Sequence, residues 1–272
     1  MIVYSRMRKM EKQSWYLLSP VITLAVLLIA CGGLPTATLA PTLPSVVTVT
    51  PGSVNPRSST PRSESAWQEE FGISDCALVP TGRNPYFILE PGFQTVLEGG
   101  GTKLVITVLD ETKQVNGVTT RVVEEKEWKN GELVEVSRNF FAMCERTKDV
   151  FYFGEEVDMY SGGKLASHTG AWLAGENNAR AGLIMSGQPK VGMRYYQEVA
   201  PGIAMDRAEI VSVNDTLKTP AGSFSNCLRI KEGTALDPNE VEYKVHAPGI
   251  GLIQEPGILL TKYGQVSPNT PP

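Results

Sequence analysis

The chain has 272 residues, with 25 basic against 29 acidic side chains, a net charge of −4, two histidines and four cysteines. That balance, with no basic stripe interleaved with aromatics, argues against nucleic acid as a partner. So few histidines and cysteines, without Cys-x-x-Cys or His-Glu-x-x-His spacing, exclude the usual transition-metal frameworks.

In chain order, Arg6, Arg8, Lys9 and Lys12, relieved by Glu11, precede an apolar run over 15–30 that Ser19, Pro20 and Thr23 interrupt. This is the charged-then-apolar order of a secretory signal. The part after Pro20, 21–30, is well short of the roughly 20 residues a bilayer-crossing helix needs. A permanent span is therefore the weaker reading.

The end of that run, Leu28-Ile29-Ala30-Cys31, resembles the bacterial lipobox. The resemblance implies a signal peptide over 1–30, cleavage between Ala30 and Cys31, and diacylglycerol on the Cys31 thiol. Two or three acyl chains of the palmitate kind, at about 0.8 kcal/mol per buried methylene, make a stable anchor where one would be marginal. The expected partner is thus a membrane, held through the N-terminal lipid, and the expected location is the bacterial cell envelope, facing outside the cytoplasm. An uncleaved anchor, or a start at Met7 or Met10, is the alternative.

Residues 31–66 are rich in Thr, Pro and Ser and free of aromatics until the domain begins. Such a composition buries too little apolar surface to offset its ordering entropy, and is expected to form a disordered, extended stalk. From Trp67 the composition changes to short runs of Val, Ile, Leu and aromatics, and residues 67–264 are expected to form one β-rich domain, with a disordered tail over 265–272.

Within it the periodicity is mostly two. Asn116-Gly117 and Asn130-Gly131 separate three alternating runs, the strongest short signal for consecutive hairpins, and Ser161-Gly162-Gly163 marks the next turn. A second strand-rich group follows from Gly192, while 171–192 lacks clean alternation and reads as loop with one helical turn. The expected fold is mainly β: an antiparallel meander forming a strongly curved sheet or open half-barrel, with little helix.

The segment "TPAGSFSNCLRIKE", residues 219–232, followed by "VEYKVHAPGIGLIQE", residues 241–255, resembles uncharacterised exported bacterial proteins of the TapB-like kind. That resemblance implies a curved antiparallel sheet related to the half-barrel of lipoprotein carriers. It brings no catalytic residue with it.

Export permits a disulfide. Cys76 lies in an extended segment entering the domain and Cys144 near a strand end, whereas Cys227 sits mid-strand as a small buried thiol would. Cys76–Cys144 is the favoured of three pairings, with three reduced cysteines as the alternative. No metal site and no cofactor are expected. His168 and His246 read as polar surface or loop residues.

Glu124, Glu125, Glu127, Glu155, Glu156 and Asp158 fall in one meander. They suggest paired carboxylates, but alternation puts neighbours on opposite faces, and solvated or salt-bridged faces are the default. Tyr86, Phe87, Phe151, Phe153, Tyr195 and Tyr196 are candidates for a ligand groove, although the same residues suit a sheet core.

The leading expectation is therefore a non-catalytic tethered module with a binding or structural role toward an envelope component. A carrier or binder of lipid or another hydrophobic ligand is the first alternative. A hydrolase of envelope polymers using paired carboxylates is the second.

Overall fold

The computed structural model describes residues 66–266; the signal segment, Ala30, Cys31 and nearly all of the spacer lie outside them. A 3-10 turn, Ile73–Asp75, leads into the strands. These are β1 (Leu78–Val79), β2 (Arg83–Asn84), β3 (Phe87–Ile88), β4 (Phe93–Gly99), β5 (Thr102–Val115), β6 (Val118–Lys129), β7 (Glu132–Cys144), β8 (Val150–Ser161) and β9 (Lys164–Ser167). They continue with β10 (Trp172–Leu173), β11 (Arg180–Met185), β12 (Arg194–Tyr196), β13 (Glu198–Val199), β14 (Asp206–Thr219), β15 (Gly222–Thr234), β16 (Val241–Ala247), β17 (Gly251–Glu255) and β18 (Ile258–Gln265).

The two-residue turns account for the meander. Asn116 and Gly117 have φ of 49° and 78°, and Asn130 and Gly131 have 51° and 85°. Two successive left-handed residues give the turn whose twist matches that of the flanking strands, and Asn-Gly tolerates it best. β5, β6 and β7 are thereby fixed as neighbours, β8 pairs with β7 after the connection over 145–149, and the four strands have 12 to 14 residues each.

All main ladders are antiparallel, and thirteen strands form one path, β12-β14-β15-β16-β17-β18-β4-β5-β6-β7-β8-β11-β13. The two ends of this path, β12 and β13, are consecutive in the chain and separated by Gln197 alone. One extended segment thus pairs with β14 through Arg194–Tyr196 and with β11 through Glu198–Val199. The sheet curves into a nearly closed barrel, closer to closure than an open half-barrel.

Residues 67–68 cover the seam. The Gln68 amide donates to the Arg194 carbonyl at 3.0 Å, and the Tyr196 amide donates to the Gln68 carbonyl at 2.9 Å. Trp67 packs edge-on to Tyr196, with the Arg207 guanidinium 4.6 Å from its ring centroid. An otherwise open strand edge is blunted in this way.

Bulges decide which side chains face inward. On β8, Asn139 opposes Glu155 but Phe141 opposes Tyr152, so β8 carries one residue more than β7 at this point. The extra residue flips the alternation, and Tyr152 and Glu155 both join the inner face. Gly154, at φ 138°, makes the bend; a Cβ there would lie 2.4 Å from the Trp172 carbonyl oxygen. A longer irregularity in β5 between Val108 and Thr112 leaves the carbonyls of Leu109 and Glu111 to accept from Arg121, which also donates to the Pro80 carbonyl at 2.9 Å.

The segment expected to be loop with a helical turn instead supplies β10 and β11. The last residues of β11, Gly182 to Met185, are all buried. A strand covered on both faces shows no alternation, which is why the period of two is missing there. The core includes an aromatic chain running Phe87, Phe141, Tyr152, Trp172, with successive ring centroids 5.0, 4.8 and 5.2 Å apart.

Candidate functional site

Alternation on β6 places Glu125 and Glu127 on the face opposite Glu124 and Lys126. The outer pair is bonded at 2.7 Å. The inner pair enters the barrel: Glu125, Glu127, Glu135, Ser137, Asn139 and Glu155 are each between 0 and 3% exposed. Their cross-strand partners explain the grouping, because Glu125 opposes Ser137 and Glu127 opposes Glu135, and directly opposed residues share a face. The expectation of solvated or salt-bridged strand faces therefore holds for half of the meander carboxylates. Glu156 pairs with Lys113 and Asp158 with His168, whereas Glu125, Glu127 and Glu155 point inward.

The centre of the polar interior is Lys244 on β16, 1% exposed. Its Nζ lies 2.8 Å from Glu232, 3.1 Å from Glu242 and 3.3 Å from Glu255. Glu232 also accepts from Gln197 at 2.8 Å, which links this network to the barrel seam. Burial alone would lower the Lys244 pKa, but the three carboxylates outweigh it and raise it well above its ordinary value. Glu255 is pushed the other way from a free carboxylate, up to about 7, by its own burial, which the lysine offsets in part.

Glu127 is a different case. Neither carboxyl oxygen has a hydrogen-bond partner, and burial pushes its pKa up to about 7. The native state thus binds a proton between pH 4.5 and 7 that the unfolded chain has released. Stability from this group is complete below about pH 4.5 and is lost as pH rises through 7. The loss is at most about 3 kcal/mol for such a shift. Glu127→Gln should accordingly leave stability near pH 5 little changed and raise it at pH 8 by up to that amount. Urea unfolding at the two pH values measures this, and parallel pH profiles for variant and wild type would refute it.

His246 follows Lys244 on the same face of β16. It is wholly buried, and neither ring nitrogen has a hydrogen-bond partner. Burial and the neighbouring Lys244 charge push its pKa down to about 3, so it is neutral at every physiological pH. The expectation of a surface or loop histidine fails here because the polar face of β16 is the inner one: Val241 and Tyr243 on the opposite face are 46% and 47% exposed. The inverted alternation Glu242, Lys244, His246 was visible in the sequence, but alternation does not say which face is inside.

His246 lines a cleft with a cavity volume of about 40 Å³. Thr95 of β4 and Glu125 of β6 are its other polar residues, and Phe93, Ile106, Val108, Val123 and Leu252 supply apolar walls. A bulge shapes this end, since Val245 opposes Gln254 while His246 opposes Leu252, leaving Ile253 as the extra residue of β17. The β2–β3 hairpin adds Phe87 and Ile88 to the lining and is tied down where the Gly249 amide donates to the Pro85 carbonyl at 2.8 Å. The Tyr86 hydroxyl donates to the Asn226 carbonyl at 3.0 Å.

Of the six aromatic candidates, Phe87 is the one that lines this cleft. Tyr86 belongs to the hairpin beside it. Phe151 is buried with its ring centroid 6.2 Å from that of Phe71, Phe153 is a core residue, Tyr195 is wholly buried and Tyr196 packs on Trp67 at the seam. The six are not brought together in one groove. Cys76 and Cys144 are joined in a disulfide, and Cys227 is a free, buried thiol. Among the described residues, no group of three or more His, Cys, Asp or Glu could hold a metal ion.

No family model matches the chain, and no curated protein matches it; the TapB-like resemblance rests on its quoted residues alone. Among solved structures, the chain is similar to a candidate lipoprotein from Parabacteroides distasonis, with a TM-score of 0.34 and 11% identity over 68% of this chain and 100% of the other.

Proposed function

We propose that the chain is a lipoprotein tethered to the bacterial envelope through Cys31, whose barrel domain binds a small ligand in the interior cleft without transforming it. The observation that carries the binding role is His246, a fully buried imidazole lining a cleft with both nitrogens unpartnered. A buried polar group left unmade costs about 1 to 3 kcal/mol. A bound molecule that supplies the missing partner recovers that cost.

The same residue argues against general-base chemistry. An imidazole with a pKa of about 3 is a poor proton acceptor near neutrality. Glu127, whose pKa would suit acid–base work, is not part of the cleft lining. The volume also bears on the carrier alternative: an apolar cavity of about 150 Å³ is what admits one benzene ring, so about 40 Å³ suits a small polar end group rather than bulky lipid chains.

Two measurements test the two halves. Intact mass of the chain extracted from its native membrane should show residues 1–30 removed and Cys31 acylated. An unmodified Cys31 behind an intact Met1 would remove the tether. For binding, the small-molecule fraction of the host cell should raise the unfolding temperature of wild type, since any ligand of the native state stabilises it. The shift should be lost in His246→Leu. An equal shift in both proteins, or none in wild type, would remove the cleft from the function.

A further inference from the structure

We infer that the cleft takes a slim aliphatic group ending in a hydroxyl, and rejects the corresponding carboxylate. This rests on the cleft being a binding site and goes on to name the chemistry of its ligand. His246 lacks a hydrogen-bond partner at both ring nitrogens. A neutral imidazole offers one N–H donor and one bare nitrogen acceptor, and here both are idle in a lining that also carries Thr95 and Glu125.

The charge in and near the lining decides the sign of the ligand. Glu125, Glu232 and Glu255 are all 5% exposed or less, and the Lys244 ammonium, whose charge acts on His246, is already held by Glu232, Glu242 and Glu255. An anionic head group would enter beside the buried Glu125, and among the described residues none that lines the cleft is a lysine or arginine. It would also bring no proton to donate to the bare ring nitrogen.

An ammonium could donate, but its desolvation against walls such as Phe93, Val108 and Leu252 costs far more than that of an uncharged group. A hydroxyl is uncharged, donates one hydrogen bond and accepts others. It can engage His246 and Thr95 in turn while its carbon chain lies along the apolar walls. The small volume limits the buried portion to the hydroxyl end, with the rest of a longer molecule leaving by the mouth.

The test uses the full chain in lipid nanodiscs and three probes of matched size, 1-butanol, butanoate and 1-chlorobutane, read by saturation-transfer NMR with empty discs as the background. The hydroxyl should give 1-butanol about tenfold tighter binding than 1-chlorobutane, the value of one hydrogen bond to an otherwise unmade buried partner. Butanoate should give no signal above background. In His246→Leu, 1-butanol and 1-chlorobutane should become equal.

Equal binding of 1-butanol and 1-chlorobutane to wild type would leave the cleft as a site and overturn the hydroxyl assignment, as would preferential binding of butanoate. Absence of signal from all three would overturn the cleft reading itself. Because the three-probe comparison is made on wild type, it decides the ligand class even if His246→Leu fails to fold.

Discussion

Lys244→Met should destabilise the barrel by about 3 to 5 kcal/mol, the usual cost of removing one partner from a buried ionic group. The reason lies in what remains. Glu232, Glu242 and Glu255 surround the Nζ within 3.3 Å, and Glu232 and Glu255 are themselves buried. Without the ammonium, they repel one another in a medium that screens poorly. Over a domain of this size such a loss lowers Tm by roughly 10 °C.

The loss should shrink in acid. Glu255 already has its pKa raised to about 7 by burial, and removing the lysine that partly offsets this pushes it further up, so protonation relieves the repulsion as pH falls. A variant that also carries Glu232→Gln and Glu255→Gln should regain much of the stability, because uncharged neighbours no longer need the ammonium. Urea unfolding of the three proteins at pH 5 and pH 8 measures both effects. A loss below about 1 kcal/mol at pH 8 would mean that the network is wetter than its burial indicates.

The second large effect concerns the disulfide. Cys76 and Cys144 are 68 residues apart, and in the chain-entropy account closing a loop of that length restricts the unfolded state by about 4 kcal/mol. The bond also pins the incoming segment to β7, where Leu78 opposes Cys144 and Val79 opposes Met143 in a two-residue strand too short to hold by its own ladder. Replacing both cysteines by alanine should therefore lower stability by about 4 kcal/mol. Hydrogen exchange near residues 76–79 should rise more than in β5 or β6. If the double variant unfolds within 1 kcal/mol of wild type, residual structure in the reduced chain is already supplying the restraint.

Against these interior effects, the outer salt bridges contribute little. Arg83 with Glu90, Lys113 with Glu156 and Arg138 with Glu111 all lie on exposed or half-exposed side chains, where such pairs are worth about 0 to 1 kcal/mol.

The candidate site was legible in part. Phe87 stood among the aromatic candidates and lines the cleft, yet its reason for being there is the β2–β3 hairpin, which no local pattern announced. Glu125 was noticed as one of a carboxylate run, and its separation from Glu124 onto another face followed from the strand period. His246 and Lys244 were missed as interior groups. In a two-sided strand the polar face normally meets water, and only the cross-strand carboxylates make the reverse arrangement tolerable.

What the sequence by itself determined is local. Period-two alternation and the Asn116-Gly117 and Asn130-Gly131 pairs specify antiparallel strands and their turns, because turn geometry and strand twist are set by a few adjacent residues. The run ending at Cys31 is equally local, and the lipid anchor is proposed from it. Tertiary structure alone decided which face of each strand is inside, how the bulges at Gly154 and Ile253 reverse that choice, and that the segment around Gln197 joins the two ends of the sheet. Those outcomes depend on pairing between residues far apart in the chain, such as Phe93 of β4 opposite Gln265 of β18. They balance burial against charge over the whole barrel, and no short stretch of sequence contains that balance.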